Sequence, residues 1–206
     1  EFPLCELRLL ASARSAGREL VYHGNKIAVQ ELKEDSFNGI DIVLASAGGG
    51  LSKEFNSHAV AAGAVVVDNT SAFRMDPQVP LVVPEINAHD LDAHQRIIAN
   101  PNCSTIIMDV VVWPLYQRRR VKRIVVSTYQ AVSGAGARAM EELEQQTRQV
   151  LAGEEAVAAE FPHQIAFNLF SHNSDIGPEG YCEEEIKMIR ETHKMFHDSE
   201  VQVTAT

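Results

Sequence analysis

The chain of 206 residues has few cysteines, a shortage of positive charge and no long apolar run. Its three cysteines form no CxxC pair, which argues against a disulfide framework and is typical of a protein in a reducing cytoplasm. Lys and Arg number 18 against 28 Asp and Glu, and the net charge of -10 argues against nucleic acid or an anionic membrane as a partner. Asp109 and Pro114 interrupt the longest apolar run, so no membrane span is predicted.

The histidines are not arranged as metal ligands. His193 and His197 have the i, i+4 spacing of neighbours on one helix face, but the sequence offers no third ligand beside them. A pair of side chains on a helix surface explains them better. We therefore predict no metal site.

Short apolar stretches alternate with a helix-like stretch in the first half of the chain. Strands are predicted at residues 4–11, 27–32, 40–45, 64–68, 81–84 and 96–99, and a helix at 51–62. The run Ile40–Ala45 is mostly apolar, as in a buried strand. This alternation predicts a parallel sheet with helices on both faces.

The second half predicts one strand and two amphipathic helices. They are placed at residues 121–128, 137–152 and 183–197. The pattern puts Glu142 on the outer side of the first helix. Glu184 and Lys187 share the outer face of the second at i, i+3, where a surface ion pair contributes little to stability.

The segment Asn100-Pro-Asn-Cys-Ser-Thr105 lies between the predicted strand 96–99 and the apolar run 106–113. A strand, a tight Asn/Pro turn and a helix hold one side chain at the helix N-terminus. That side chain is Cys103, and the helix dipole and free N–H groups there favour a thiolate and could stabilise an oxyanion. The alternative is a buried cysteine that packs as a small hydrophobic residue.

Two further turns are weaker signals. Ser46-Ala-Gly-Gly-Gly50 follows a strand and could let the backbone approach a phosphate or ribose, although many turns contain glycines. Arg14 and Ser15 follow the first predicted strand, where Arg and Ser would favour the 2′-phosphate of a dinucleotide. A solvated surface loop is the alternative for that segment.

Together, the motifs resemble aspartate-semialdehyde dehydrogenase of the bacterial type over essentially the whole chain. The markers stand in order at residues 9–17, 46–50, 68–74, 83–87, 100–105 and 127–136. The resemblance implies an α/β fold, with an NADP-binding Rossmann-like domain over residues 1–104 and an α+β catalytic and dimerisation domain over 105–206. It also implies a homodimer.

The resemblance further implies NADP-dependent reductive dephosphorylation of L-aspartyl 4-phosphate to L-aspartate 4-semialdehyde through a cysteine thioester. Such a reaction belongs to the biosynthesis of lysine, methionine and threonine. The implied roles are Cys103 as nucleophile, Gln130 as the residue that orients substrate, Arg74 and Lys187 as phosphate contacts, Glu184 as the contact of the substrate ammonium, Arg14 and Ser15 at the NADP 2′-phosphate, and Ser133 and Gly134 at the nicotinamide end.

The sequence departs from the family pattern in three places. The first strand with its glycine loop, and the general acid/base histidine with the carboxylate-binding arginine, are not found in it. We therefore expect a piece of a longer protein that is inactive by itself. Cys182 stands where a hydroxyl residue is common before the last helix, and since a thiol is a poor N-cap we expect a frayed helix start.

Related acyl-phosphate reductases are the nearest alternatives. The N-acetyl-γ-glutamyl-phosphate reductases and glyceraldehyde-3-phosphate dehydrogenases share the strand, turn, cysteine and helix. The segment around Cys103, with Gln130 downstream, favours the aspartate enzyme, and Glu184 suits a free amino group. A different class of function is a non-catalytic binding or scaffold role for an inactive piece.

Overall fold

The computed structural model of the chain describes residues 3–171 and 174–206. The chain divides after Asn102 into two compact units. We call them the first unit, which ends at Asn102, and the second unit, which begins at Cys103. Among the described residues, no helix combines the length and apolar character needed to cross a membrane.

The strands of the first unit form two three-stranded sheets. They are β1 (Leu9–Ala11), β2 (Glu19–Tyr22), β3 (Asn25–Glu31), β4 (Ile42–Ala45), β5 (Val65–Asp68) and β6 (Ile97–Ala99). One sheet has the order β1-β3-β2, with β1 parallel and β2 antiparallel to β3. The other has the order β4-β5-β6 and is parallel throughout. The predicted parallel pairing is therefore confirmed for β1, β3, β4, β5 and β6, and the antiparallel β2 is an addition that was not predicted.

The helices of the first unit are α1 (Gly49–Ala61) and the short α2 (Pro84–Asn87), with 3-10 turns at 34–37 and 88–93. Alpha-helix α1 packs on β4 and β5 around a core that includes Phe37, Ala59 and Val66. Leu10 of β1 in the other sheet, and Leu32 directly after β3, contact the same core. One apolar core therefore joins both sheets.

The second unit contains α3 (Cys103–Arg118), β7 (Arg123–Val126), a 3-10 turn at 132–135, α4 (Ala137–Leu151), α5 (Glu183–Phe196) and β8 (Gln202–Ala205). Strands β7 and β8 pair in parallel. Helix α5 packs against both β8 and α3. The core between them contains Met108, Ile124, Met188 and Val203.

Several sequence predictions about single elements are wrong. Strand β4 is not buried: Ile42 is 47% and Leu44 79% exposed, because both point away from the α1 side of an outer strand. The predicted strand 4–11 shortens to β1, and strand 81–84 reduces to one bridge from Leu81 to Ala99, because Pro84 already begins α2. The exposed strand β2 was not predicted.

Helix α4 contains a further difference from the sequence prediction. Glu142 is 6% exposed rather than on the outer face. Its carboxylate accepts hydrogen bonds from the backbone N–H groups of Ala159 and Glu160 and from the Gln146 amide. These partners compensate the cost of burying the charge. The helix period alone cannot reveal partners that lie 17 residues farther along the chain.

Candidate active site

The carboxyl ends of β4, β5 and β6 lie side by side. The register pairs Ala45 with Asp68 and Asp68 with Ala99, so the residue after each strand reaches the same edge. There the Asn100 amide donates to Asn69 Oδ1 at 2.8 Å, and the Asn69 amide donates to Ser46 Oγ at 3.3 Å. Ligands of open α/β sheets bind at this edge. Polar groups that can face a ligand therefore line it.

Asp68, the last residue of β5, holds this edge of the sheet in place. It is fully buried and accepts hydrogen bonds from Asn56 Nδ2 at 2.7 Å, Ser52 Oγ at 3.3 Å and the Thr70 N–H at 2.7 Å. Ser52 and Asn56 are on α1, so the carboxylate holds the start of that helix against the end of β5. The turn before α1 needs glycine at Gly48, whose φ of 104° is costly for other residues.

Arg74 braces the turn that leads to Cys103. Its side chain is buried, Nε donates to the Asn100 carbonyl at 2.9 Å and Nη2 donates to the Asn69 carbonyl at 3.0 Å. The planar guanidinium therefore holds two loop backbones in fixed positions. The sequence pointed only to a phosphate contact for this residue, and the bracing was not predicted.

Cys103 begins the second unit. It is the first residue of the 16-residue helix α3 and it is exposed, whereas Pro101 and Asn102 before it are buried. The predicted order of strand, turn and helix is confirmed, with β6 ending at Ala99. The exposed thiol does not fit the alternative of a buried hydrophobic cysteine. A nucleophile in this place is accessible to a substrate.

Gln130 contacts Gly134 across the 3-10 turn at 132–135. A Cβ added at Gly134 would overlap Gln130 Nε2 and lie 2.9 Å from its Cδ. The amide thus rests directly on the Cα of Gly134. The turn also includes Ser133, so the residue predicted to orient the substrate and those predicted to meet the cofactor belong to one local structure.

Because Gln130 is predicted to orient the substrate, replacing Gly134 with alanine is expected to displace its amide and to lower kcat/KM of the full gene product by about 100-fold, the size of effect that a misplaced positioning group has. The unfolding temperature should hardly change, since a flexible side chain can move aside. Steady-state kinetics of Gly134→Ala, Gln130→Ala and the double variant test this. If the double variant loses activity additively, the two residues do not act through one contact.

Glu184 and Lys187 are together on α5, but not on an exposed face. Lys187 Nζ lies 3.7 Å from Glu184 Oε2, and the side chains are 24% and 12% exposed respectively. Glu183 is closer to Lys187, at 2.9 Å, and was not singled out from the sequence. Its i, i+4 spacing to Lys187 was the available signal.

The start of α5 is capped, in contrast to the expected fraying. Glu185 Oε2 accepts the Cys182 N–H at 2.7 Å, which is one half of a capping box. In the other half, the Cys182 side chain accepts the Glu185 N–H, so the thiol does serve as a cap and the helix start is not frayed. Cys182 itself is buried, and burial raises the pKa of its thiol.

Arg14 and Ser15 lie in the turn that follows β1. The turn is closed by the Ser15 N–H, which donates to the Ser12 carbonyl at 2.8 Å, and it is tied to β3 by the Gly17 N–H on the Val29 carbonyl at 2.9 Å. The Arg14 side chain is exposed. Arg and Ser at a strand end are donors of the kind that a 2′-phosphate needs.

One buried acid lies on the same helix as Cys103. Asp109 is fully buried, Thr192 Oγ1 is 3.1 Å from its Oδ1, and its Oδ2 has no hydrogen-bond partner among the described residues. Burial raises the pKa of this carboxyl to about 7, the Thr192 hydroxyl counteracts this in part, and Glu191 adds to it. From the sequence alone, Asp109 was noted only because it interrupts an apolar run.

Comparison with known proteins identifies both halves of the chain. The model of the semialdehyde dehydrogenase NAD-binding domain matches residues 1–94, and that of the semialdehyde dehydrogenase dimerisation domain matches residues 112–206. An aspartate-semialdehyde dehydrogenase of Synechocystis sp. is 55% identical over 205 residues, which cover 100% of this chain and 61% of the relative. One of Bacillus subtilis is 47% identical over 212 residues, with the same coverage.

A solved structure agrees with these relatives. The crystal structure of aspartate semialdehyde dehydrogenase II from Vibrio cholerae complexed with ASA is 44% identical and superposes with a TM-score of 0.96. The match covers 100% of this chain and 62% of that chain. The chain thus spans about three fifths of the length of these relatives.

Proposed function

The chain belongs to the aspartate-semialdehyde dehydrogenase family, and we propose that the protein that carries it interconverts L-aspartyl 4-phosphate and L-aspartate 4-semialdehyde. The observation that carries this proposal is the exposed Cys103 at the first position of α3, after the turn that Arg74 braces. A thiol there lies at the positive end of the dipole of a 16-residue helix. Such a helix end can stabilise the oxyanion that forms when a thiol attacks a carbonyl.

In the biosynthetic direction, the Cys103 thiolate attacks the carbonyl carbon of the acyl phosphate. A C–S bond forms, the C–O bond to phosphate breaks, and inorganic phosphate leaves. NADPH, when bound, supplies the hydride that reduces the thioester. The C–S bond then breaks, the thiolate is regenerated and the aldehyde leaves.

Other residues of the chain bind and orient the reactants. We assign Arg74 and Lys187 to the phosphate group, because a guanidinium and an ammonium both donate charge-assisted hydrogen bonds to its oxygens. Glu184 is assigned to the substrate ammonium and Gln130 to orientation of the acyl group. Glu184 and Lys187 are close enough to serve neighbouring parts of one small molecule.

Arg14 and Ser15 fit a cofactor with a 2′-phosphate, so we propose NADP rather than NAD. Ser133 and Gly134 are assigned to its nicotinamide end, next to Gln130. The fit rests on the exposed guanidinium and the Ser15 side chain in one tight turn at the end of β1. An acidic residue in that turn would instead favour the free 2′-hydroxyl of NAD.

Replacing Arg14 with alanine is expected to raise the KM for NADPH by about 10- to 100-fold, because a hydrogen bond to a charged group is lost. The KM for NADH should change little. Arg18, which is also exposed near this turn, provides the matched control Arg18→Ala. Equal KM increases for both cofactors, or an equal effect of the control, would contradict the 2′-phosphate assignment.

We also propose that the protein acts as a cytoplasmic homodimer. The match of residues 112–206 to a dimerisation domain supports the dimer, and three cysteines without a CxxC pair support a reducing compartment. Sedimentation of the full gene product measures directly whether it is a dimer.

The choice of substrate is tested with the full gene product and NADP⁺ plus phosphate. We expect turnover with L-aspartate 4-semialdehyde and little with the N-acetylated five-carbon analogue, which has no ammonium group for Glu184. Turnover of the analogue alone would replace the proposed substrate with that of the N-acetyl-γ-glutamyl-phosphate reductases. A folded protein that uses neither would contradict the proposed function.

A further inference from the structure

Lys187 lies between two carboxylates at the start of α5. Its Nζ is 2.9 Å from Glu183 Oε1 and 3.7 Å from Glu184 Oε2. The ammonium side chain is 24% exposed and that of Glu184 12%, whereas that of Glu183 is 65% exposed. The nearer partner of the lysine is therefore the one that solvent and ligands can reach most easily.

The helix start fixes this arrangement. The Glu183 N–H donates to Ser174 Oγ at 3.0 Å, and the Cys182 N–H donates to Glu185 Oε2 at 2.7 Å. These two hydrogen bonds fix the backbone of Cys182 and Glu183 at the start of α5. Spacings of i, i+4 and i, i+3 then bring both carboxylates over Lys187.

We propose that Glu183 is a positioning residue that holds the Lys187 ammonium and makes phosphate binding there depend on the substrate's own amino group. This inference rests on the proposed function, in which Lys187 contacts the phosphate and Glu184 the ammonium. Glu183, Glu184 and Lys187 together carry one net negative charge when all are ionised. An incoming phosphate must replace carboxylate contacts of the lysine and is repelled by the two carboxylates beside it.

Binding of the substrate ammonium changes that balance. The new cation offsets the charge of Glu184 and reduces its repulsion of phosphate, so Lys187 can exchange a carboxylate for a phosphate oxygen more easily. Because linkage is reciprocal, phosphate must in turn strengthen binding of the amino compound. Free phosphate would then compete poorly at the site until the amino acid is present.

The variant Glu183→Gln removes one negative charge and keeps the side-chain shape. We expect it to lower the KM and the Kd for inorganic phosphate about 5-fold, with kcat changing less than KM, and to weaken the mutual enhancement of phosphate and semialdehyde binding by a similar factor. Glu183→Asp, which keeps the charge, should restore most of the enhancement. A purely structural role of Glu183 would lower kcat and stability without tightening phosphate binding.

Glu144→Gln is the matched control. Glu144 forms an i, i+4 ion pair with Arg148 on α4, and the variant makes the same charge change in the same unit. Phosphate binding should be measured by calorimetry as well as by kinetics, in the full gene product. A phosphate Kd that is unchanged or raised in Glu183→Gln, or an equal shift in Glu144→Gln, overturns this inference. A wild type that binds phosphate but does not turn over the semialdehyde contradicts the proposed function instead.

Discussion

Replacement of Cys103 by alanine is expected to lower kcat/KM for the semialdehyde by at least about 10⁴-fold, because alanine offers no nucleophile for the covalent intermediate. The exposed position at the start of α3 leaves room for the smaller side chain without a core cavity. The unfolding temperature should therefore be nearly unchanged. Steady-state kinetics and a thermal melt of the same preparation measure both.

Two matched variants make the result specific. Cys5→Ala removes another exposed thiol and should leave kcat/KM as it is. Cys103→Ser keeps a nucleophilic atom, but a hydroxyl does not ionise near neutral pH as a thiol does, so we expect activity close to that of the alanine variant. Substantial activity in either Cys103 variant would contradict the thioester mechanism.

The second large effect is expected at Asp109, where asparagine should remove a pH-dependent cost of folding. In the folded chain, burial raises the pKa of this carboxyl to about 7 from its ordinary 3.8. The folded state then binds more protons than the unfolded state between about pH 4 and 7, so stability falls as pH rises through that window. A difference of about 3 units corresponds to up to about 4 kcal/mol at high pH.

The hydrogen bonds around Asp109 explain why the neutral acid fits better. Thr192 Oγ1 lies 2.7 Å from the Met188 carbonyl and 3.1 Å from Asp109 Oδ1, yet the hydroxyl has only one proton. A protonated carboxyl can donate to Oγ1 while Thr192 donates to Met188. An ionised carboxylate instead competes with the carbonyl for that proton.

Denaturant unfolding of wild type and Asp109→Asn at pH 5 and pH 8 measures the effect. The asparagine variant should gain stability relative to wild type as the pH rises. Asp198→Asn is the contrasting control, because a hydrogen bond from Tyr116, aided by the Glu200 N–H and Arg120, lowers the pKa of Asp198 to about 2. That variant should lose stability at neutral pH, with the loss disappearing as the pH falls toward 2. A pH-independent difference for Asp109→Asn would contradict the account of its burial.

The local sequence pattern was sufficient to predict the part of the fold that positions Cys103. An apolar strand, an Asn/Pro turn and an apolar run predicted β6 and α3 correctly, since all three signals lie within 23 residues, 96–118. Strand β2 was missed because all four of its residues are exposed, so no alternation marks it. Its turn at His23 and Gly24 has two positive φ angles, which only the structure reveals.

The site was harder to predict wherever a residue depends on distant partners. Glu142 is buried because backbone donors near residue 160 satisfy it, and Arg74 braces a carbonyl 26 residues away. Neither of these contacts can be predicted from helical or strand periodicity, because the partners are far apart in the sequence. Glu183 is the opposite case. Its i, i+4 spacing from Lys187 is visible in the sequence, but only the structure shows that it lies closer to the Lys187 ammonium than Glu184 does.

The thioester on Cys103 can be observed directly. The full gene product is mixed with L-aspartate 4-semialdehyde and NADP⁺ without phosphate, and the products are followed by absorbance and by mass spectrometry of the peptide that contains Cys103. We expect a burst of about one NADPH per active site and an acyl group on Cys103. Added phosphate should then remove the acyl group from Cys103 and allow turnover to continue. A phosphate-independent steady rate with an unmodified Cys103 peptide, or an acyl group on another residue, would contradict the thioester mechanism.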